Sequence, residues 1–202
     1  MKLRPLIVFV ALSVLAVVLY SSALHGPFIF DDGMYISKNP LLKNLGNFWP
    51  PSGPRYLRYL SFALNFRLGG LDTFGFHLVN VIIHIVNGLL VYALVIATFR
   101  TPWMERAEIE ARERVAFFLA LMASVFFIVY PVQTQAVAYM AQRFASLATL
   151  FYLLSLVSYI RWRLSSGGKA FKVSLYIVAL ASAIAAQNTK EISFTLPVMI
   201  VL

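Results

Sequence analysis

The chain has 202 residues, of which 60% are hydrophobic and 12% charged, with a formal net charge of +9 and no cysteine. Soluble domains carry about a quarter charged residues, so this composition, blocked into long apolar runs, excludes a soluble domain and marks an integral membrane protein. The lack of cysteine excludes a disulfide framework and thiol chemistry, and the basic residues flank apolar runs, which reads as membrane orientation and not as a nucleic-acid surface.

Apolar segments are predicted at 5–23, 77–99, 115–130, 144–160, 171–186 and from 192 to the last residue. The first follows Lys2 and Arg4 and precedes Ser21-Ser22-Ala23, which is also the layout of a secretory leader. Its apolar run exceeds the usual length of about 7–15 residues, so it reads as an uncleaved anchor. The sixth is too short for a hydrocarbon core that needs about 20 residues, and the chain therefore reads as the N-terminal portion of a longer membrane domain. The expected fold is all-α: a polytopic helical membrane protein with five to six transmembrane helices and one interfacial amphipathic helix.

If each segment crosses, Lys2, Arg4, Arg100, Arg106, Arg112, Arg114, Arg161, Arg163, Lys169 and Lys172 share one side. That side reads as cytoplasmic, with the N-terminus in it. Lys38, Lys43, Arg55, Arg58, Arg67, Arg143 and Lys190 fall on the other. Orientation does not call for those cations, and they invite a chemical explanation.

Residues 25–76 form the one extended segment between spans. Pro27, Pro40, Pro50, Pro51 and Pro54, with Gly33, Gly46 and Gly53, divide its first part into turns. The breakers then cease, and a helix is predicted over about 55–68, ended by Gly69-Gly70. Arg55, Arg58, Ser61 and Asn65 share one face of it, and Leu57, Leu60, Leu64 and Leu68 another. So apolar a helix with one polar stripe is expected in the membrane interface. The stripe serves either lipid headgroups or a phosphate, which the planar guanidinium fork suits.

At the start of this loop stands Phe30-Asp31-Asp32, two adjacent acids in a chain with only 8. The second segment carries His77, Asn80, His84 and Asn87 on one face. Lipid cannot satisfy these groups, so interhelical hydrogen bonding is expected. His77 and His84 are about 10 Å apart along a helix rising 1.5 Å per residue, too far to share an ion unaided, and no metal site is assigned to them. The hairpin after the third segment holds Gln135, Gln142 and Arg143, and the turn before the sixth holds Lys190-Glu191. Together these gather acids, guanidiniums and an ammonium on one membrane face. An acid that takes a proton from an attacking hydroxyl, beside cations that meet charge on a leaving phosphate, fits group transfer from a phosphate-linked donor with a long apolar tail.

The ordered set Phe30-Asp31-Asp32, Arg55 with Ser61-Phe62-Ala63-Leu64-Asn65, His77 with Asn80 and His84, Pro131 with Gln133 and Gln135, Gln142-Arg143 with Ser146, and Lys190-Glu191 resembles the GT-C class of membrane glycosyltransferases. It is most similar to the branch that joins such a membrane domain to C-terminal tetratricopeptide repeats, the transmembrane-and-TPR O-mannosyltransferases and their bacterial relatives. The resemblance implies a polyprenyl-phosphate sugar donor, a lumenal or periplasmic active face, and transfer to a hydroxyl of a protein or glycan acceptor. It implies Asp31 as base with Asp32 its neighbour, and Arg55 near the donor phosphate. Arg58, Arg143 and Lys190 join Arg55 as expected phosphate ligands, while Asn65, His77, Asn80, His84, Gln135, Gln142 and Glu191 are expected to support them. The acid pair leaves room for a Mg²⁺ or Mn²⁺ ion. Where many relatives carry His-Pro-x-x-x-Glu, this chain has Tyr130-Pro131 and Gln135. Two other classes stay open: a non-catalytic scaffold, which that Gln favours, and a transporter or lipid flippase using the intramembrane His and Asn.

Overall fold

The computed structural model describes residues 3–53, 55–104 and 109–201. Lys2, Pro54, Arg106 and Leu202, used in the reading above, lie outside the described residues. Helices α1 (Leu3–Tyr20), α2 (Tyr56–Gly69), α3 (Thr73–Thr98), α4 (Ile109–Val129), α5 (Thr134–Ala138), α6 (Arg143–Leu164), α7 (Lys169–Gln187) and α8 (Leu196–Val201) follow in chain order. Short 3-10 and π turns fill the loop between α1 and α2. The chain is all-α among the described residues.

The helices at Pro5–His25, Thr73–Thr98, Met140–Leu164 and Lys169–Gln187 are long and apolar enough to cross a membrane. The third expected segment is the C-terminal part of α4, which enters with Arg112, Glu113 and Arg114 before its apolar stretch. The expected sixth begins with a 3-10 turn, Glu191–Thr195, and continues as α8. Helix α3 starts earlier than the apolar count placed it, because the Asp72 side chain accepts from the Phe74 amide and caps the first turn.

Helix α3 is the hub, packing on α1, α4 and α6, while α6 carries α7. In α1, Val8, Leu12, Ala16 and Tyr20 are buried at intervals of four, and Leu6, Val10, Val14 and Val18 face outward. That seam builds α1 into the bundle beside Val81, Ile128 and Val137, and the Tyr20 hydroxyl donates to the Ile128 carbonyl at 2.8 Å. Gly88 on α3 admits α4 closely: a Cβ there would lie 2.9 Å from Ile128 Cδ1. Between α6 and α7, Ser155 donates to the Ala179 carbonyl at 2.9 Å.

A second core caps one end of the bundle. Ile36, Leu42 and Phe48 from the first loop meet Phe62 and Ala63 of α2, Phe76 of α3, Met140 and Ala141 of the second hairpin, and Phe144 of α6. Two Asn side chains make its turns self-contained: Asn39 accepts from the Leu41 amide and Asn44 from the Gly46 amide. The loop is thus a folded cap, with its own apolar centre, seated on the ends of the spans.

Helix α2 lies on this cap with part of its polar stripe turned inward. Arg58 and Asn65 are buried, whereas Leu64 and Leu68 are exposed; Arg55 stays exposed at the helix start and Leu60 packs on the cap core. The inward part of the stripe meets a buried cation, Arg143, which donates to Asn65. Gly70, at φ +61, ends the helix where a side chain would be strained.

Candidate functional site

Asp31 and Asp32 are adjacent in sequence and differ in setting. Phe30, at φ +46, turns the chain so that Asp32 points into the cap and Asp31 out of it. Asp32 is fully buried. Its Oδ2 accepts from the Ile29 amide at 3.1 Å and its Oδ1 from the Ala141 amide at 2.7 Å. Burial pushes its carboxyl above the usual aspartate range, and the backbone donors oppose that only in part. Asp32 is therefore a clamp between the first loop and the second hairpin.

Asp31 is exposed. Its backbone carbonyl accepts from the Met34 and Tyr35 amides at 3.0 and 2.9 Å. Its Oδ2 accepts from the Tyr139 hydroxyl at 3.1 Å. Burial, then the Asp31 contact, raises the Tyr139 phenol above its ordinary range, so the hydroxyl stays a donor. The Phe30 ring stands edge-on to Tyr139 at 5.8 Å. Around them opens a cleft of about 520 Å³ lined by Ile29, Phe30, Asp31, Thr134, Gln135, Ala138 and Tyr139. The structure thus brings Asp31 and Gln135 to one cleft and adds Tyr139, which sequence reasoning missed. Its one signal was its place, four residues after Gln135 on a helical turn.

Arg143 occupies a different position from the one expected of a phosphate ligand. It is fully buried. Its Nε donates to Asn80 Oδ1 at 2.7 Å, one terminal nitrogen to Asn65 Oδ1 at 2.5 Å and the Ser61 carbonyl at 3.3 Å, and the other to the Phe76 carbonyl at 2.7 Å. Its guanidinium also lies 4.6 Å from the centre of the Phe62 ring. Every one of these ligands is neutral, so dipoles offset the cost of burying the charge. With every guanidinium nitrogen bonded to a protein oxygen and no exposed surface, Arg143 joins α2, α3 and α6. Asn65 also donates to the Gly75 carbonyl, and Asn80 to that of Val137.

The intramembrane face of α3 reaches backbone carbonyls of its neighbours, while Asn87 Oδ1 is buried without a partner. His77 places its ring nitrogens 3.3 Å from the Val137 carbonyl and 3.2 Å from that of Gly26. His84 bonds the Ile128 carbonyl at 3.3 Å between the rings of Tyr20 and Phe127. Asn87 donates to the Ser146 carbonyl at 2.9 Å. These residues hold α3 to its neighbours, as expected, and their contacts give an ion path no chain of acids to follow.

The other cations lie where α2 begins. Arg55, in left-handed backbone at φ 62, donates from Nε to Glu191 Oε1 at 2.5 Å. This is the one ion pair among the described residues. The Arg55 contact holds Glu191 below the usual glutamate range, and Glu191 raises Arg55. The Leu57 amide meets the Asn188 carbonyl at 3.3 Å. Lys190, half-buried, sits in the same turn. Arg58 is buried, 3.7 Å from the centre of the Phe144 ring and 4.4 Å from that of Tyr59, with a terminal nitrogen donating to the Tyr59 hydroxyl at 2.7 Å. Its Nε has no partner. Beside this group a cleft of about 480 Å³ runs between Gly53, Tyr56 and Leu57 on one side and Ala181, Ile184 and Asn188 of α7 on the other. Gln142 is half-buried at the start of α6.

Among the described residues no group of three or more His, Asp or Glu side chains is placed to hold a metal ion. Asp32 accepts one backbone amide on each carboxylate oxygen, and Asp31 accepts from Tyr139 on one of its own.

Several curated relatives match most of the chain. It is 30% identical to "Protein O-mannosyl-transferase F38B6.6" of Caenorhabditis elegans over 80% of its own length and 24% of that protein's. It is 34% identical to "Protein O-mannosyl-transferase Tmtc1" of Drosophila melanogaster, over 83% and 20% respectively. With "Protein O-mannosyl-transferase TMTC2" of Homo sapiens the identity is 33%, over 74% and 18%. The chain thus spans about a fifth to a quarter of the length of the relatives it matches. No family model matches the chain, and no solved structure does.

Proposed function

We propose, for a chain related over most of its length to the protein O-mannosyl-transferases, that it is the acid-bearing portion of a membrane glycosyltransferase. In this reading a sugar passes from a polyprenyl-phosphate donor to a protein hydroxyl at the extracytoplasmic face. The observation that carries it is the exposed carboxylate of Asp31, steadied by Tyr139 at the mouth of a cleft while its neighbour Asp32 is locked in the cap.

Asp31 takes the proton of the acceptor hydroxyl as that oxygen attacks the anomeric carbon. The bond from that carbon to the phosphate oxygen breaks, and its electron pair stays on the phosphate. In this reading Arg55 and Lys190 supply the cations for that charge, Arg55 exchanging Glu191 for the phosphate. Arg58, fixed among aromatic rings, adds a field without contact. The cleft against α7 suits the apolar tail. The basic far ends of the spans support placing this face outside the cytoplasm. Protein or glycan acceptors are both hydroxyl bearers, and the relatives' names favour protein. A second, non-catalytic reading rests on Gln135, an amide where an acid would line the cleft.

The test is transfer by the full-length protein in liposomes with a polyprenyl-phosphate mannose donor. Asp31→Asn is expected to lower the rate by about 10²-fold or more, the scale of lost general-base catalysis, with insertion unchanged. Transfer equal to the parent overturns the role of Asp31, and a parent inactive with every such donor favours the non-catalytic reading.

A further inference from the structure

We propose that the end of the bundle opposite Asp31 holds a second site, a cleft between α3, α6 and α7 that binds the phosphate of an anionic phospholipid headgroup. Arg100, just past α3, and Arg161, in the last turn of α6, both line it. Ala93 and Ile96 form its inner wall, with Phe171 of α7 on the outside, and its volume is about 490 Å³.

No acid lines the cleft, and neither guanidinium has a side-chain partner among the described residues. Three other arginines are engaged: Arg143 donates to four protein oxygens, Arg55 holds Glu191, and Arg163 donates to the Tyr159 hydroxyl at 3.1 Å. Two planar guanidinium forks lining one cleft, one just past α3 and one on α6, suit the tetrahedral oxygens of a phosphate.

The position selects a lipid over a free ion. Both arginines sit where apolar spans end, at headgroup depth, and the cleft's wall continues into the apolar surface of α3. Phe171, in the cleft, and Trp103, next to the cleft residue Pro102, are both exposed, as interfacial aromatics are. On the opposite flank of the same helical hairpin, Trp162, Lys169, Lys172 and Tyr176 line a second basic and aromatic cleft. Basic pockets between spans are a recurring form of anionic headgroup recognition.

The experiment is native mass spectrometry of the full chain, released from bilayers of phosphatidylglycerol and phosphatidylcholine in equal parts. The parent is expected to retain phosphatidylglycerol, and Arg100→Gln with Arg161→Gln to lose at least ten-fold of it. Arg100→Lys with Arg161→Lys keeps the charge without the fork and is expected to fall between them. Lys38→Gln with Lys43→Gln removes the same charge from the other end and is expected to retain the lipid, which separates this cleft from net charge. Equal retention by the Arg→Gln variant, equal loss by the Lys→Gln variant, or equal retention of phosphatidylcholine overturns the site. Complete displacement by millimolar inorganic phosphate overturns its assignment to lipid.

Discussion

Asp32 Oδ1 accepts from the Ala141 amide at 2.7 Å and so ties the first loop to the second hairpin across 109 residues of chain. The acid beside it reaches the same hairpin only through an exposed hydroxyl, accepting from Tyr139 at 3.1 Å. One carboxylate of the pair is buried in the architecture, and the other stays exposed at the cleft.

The two acids are therefore expected to separate in their effects. Asp32→Ala strands the Ile29 and Ala141 amides in a buried place and is expected to cost about 2–3 kcal/mol, the scale of bonds to a charged group. Asp31→Asn is expected to change stability by less than about 0.5 kcal/mol, as exposed substitutions do. Thermal unfolding in detergent checks both, and equal destabilisation by the two would contradict the division of roles.

Arg143 is expected to be the most sensitive cation in the protein. Arg143→Ala leaves Asn65, Asn80 and the Phe76 carbonyl without a donor, and several lost partners at about 1–3 kcal/mol each approach the total stability of a domain. Arg143→Lys keeps the charge but not the planar fork, so little rescue is expected. The measurement is the yield of monodisperse protein after extraction, with Arg55→Ala, exposed and ion-paired to Glu191, as the contrast expected to behave like the parent.

The Arg55–Glu191 pair is expected to confer an acid-sensitive contact between α2 and the turn after α7. The folded-state carboxyl of Glu191 lies below its ordinary range. Its contribution is therefore complete above the unfolded-state value and is lost as pH falls through the depressed folded-state one. Protection of the amides at residues 55–58, taken relative to their intrinsic exchange rates at each pH, is expected to fall on acidification below the ordinary glutamate range, and high salt at neutral pH to mimic part of the loss by screening. A Glu191→Gln variant is expected to show the low protection at every pH. Protection in the parent that ignores both pH and salt would show that the pair holds nothing.

The spans were legible because their apolar runs are long and their ends are marked by charge. The face of His77, Asn80, His84 and Asn87 was legible too, since lipid offers such groups no partner and the contact had to be protein. The cap was not. Its burial of Ile36, Leu42 and Phe48 depends in part on Met140, Ala141 and Phe144, about a hundred positions away, and a proline-rich stretch shows no period that reveals it. The burial of Arg143 was hidden for a related reason. A basic residue at a membrane edge reads as surface, and only the three-dimensional meeting of Asn65, Asn80 and two carbonyls makes a buried place for it. The inward turn of the α2 stripe follows from the same meeting. Tyr139 lacked any signal beyond its neighbours, because a tyrosine at a span edge is common as an anchor.

The inward part of the α2 stripe bears on how the protein is made. Ser61, Asn65 and Phe76 leave the ribosome well before residue 143 exists, so for that interval the loop's oxygens have no guanidinium to surround and its leucines have no settled side. Only the synthesis of α6 supplies the cation that orients α2. The first loop is thus completed late, from behind, by a segment translated after two further membrane crossings.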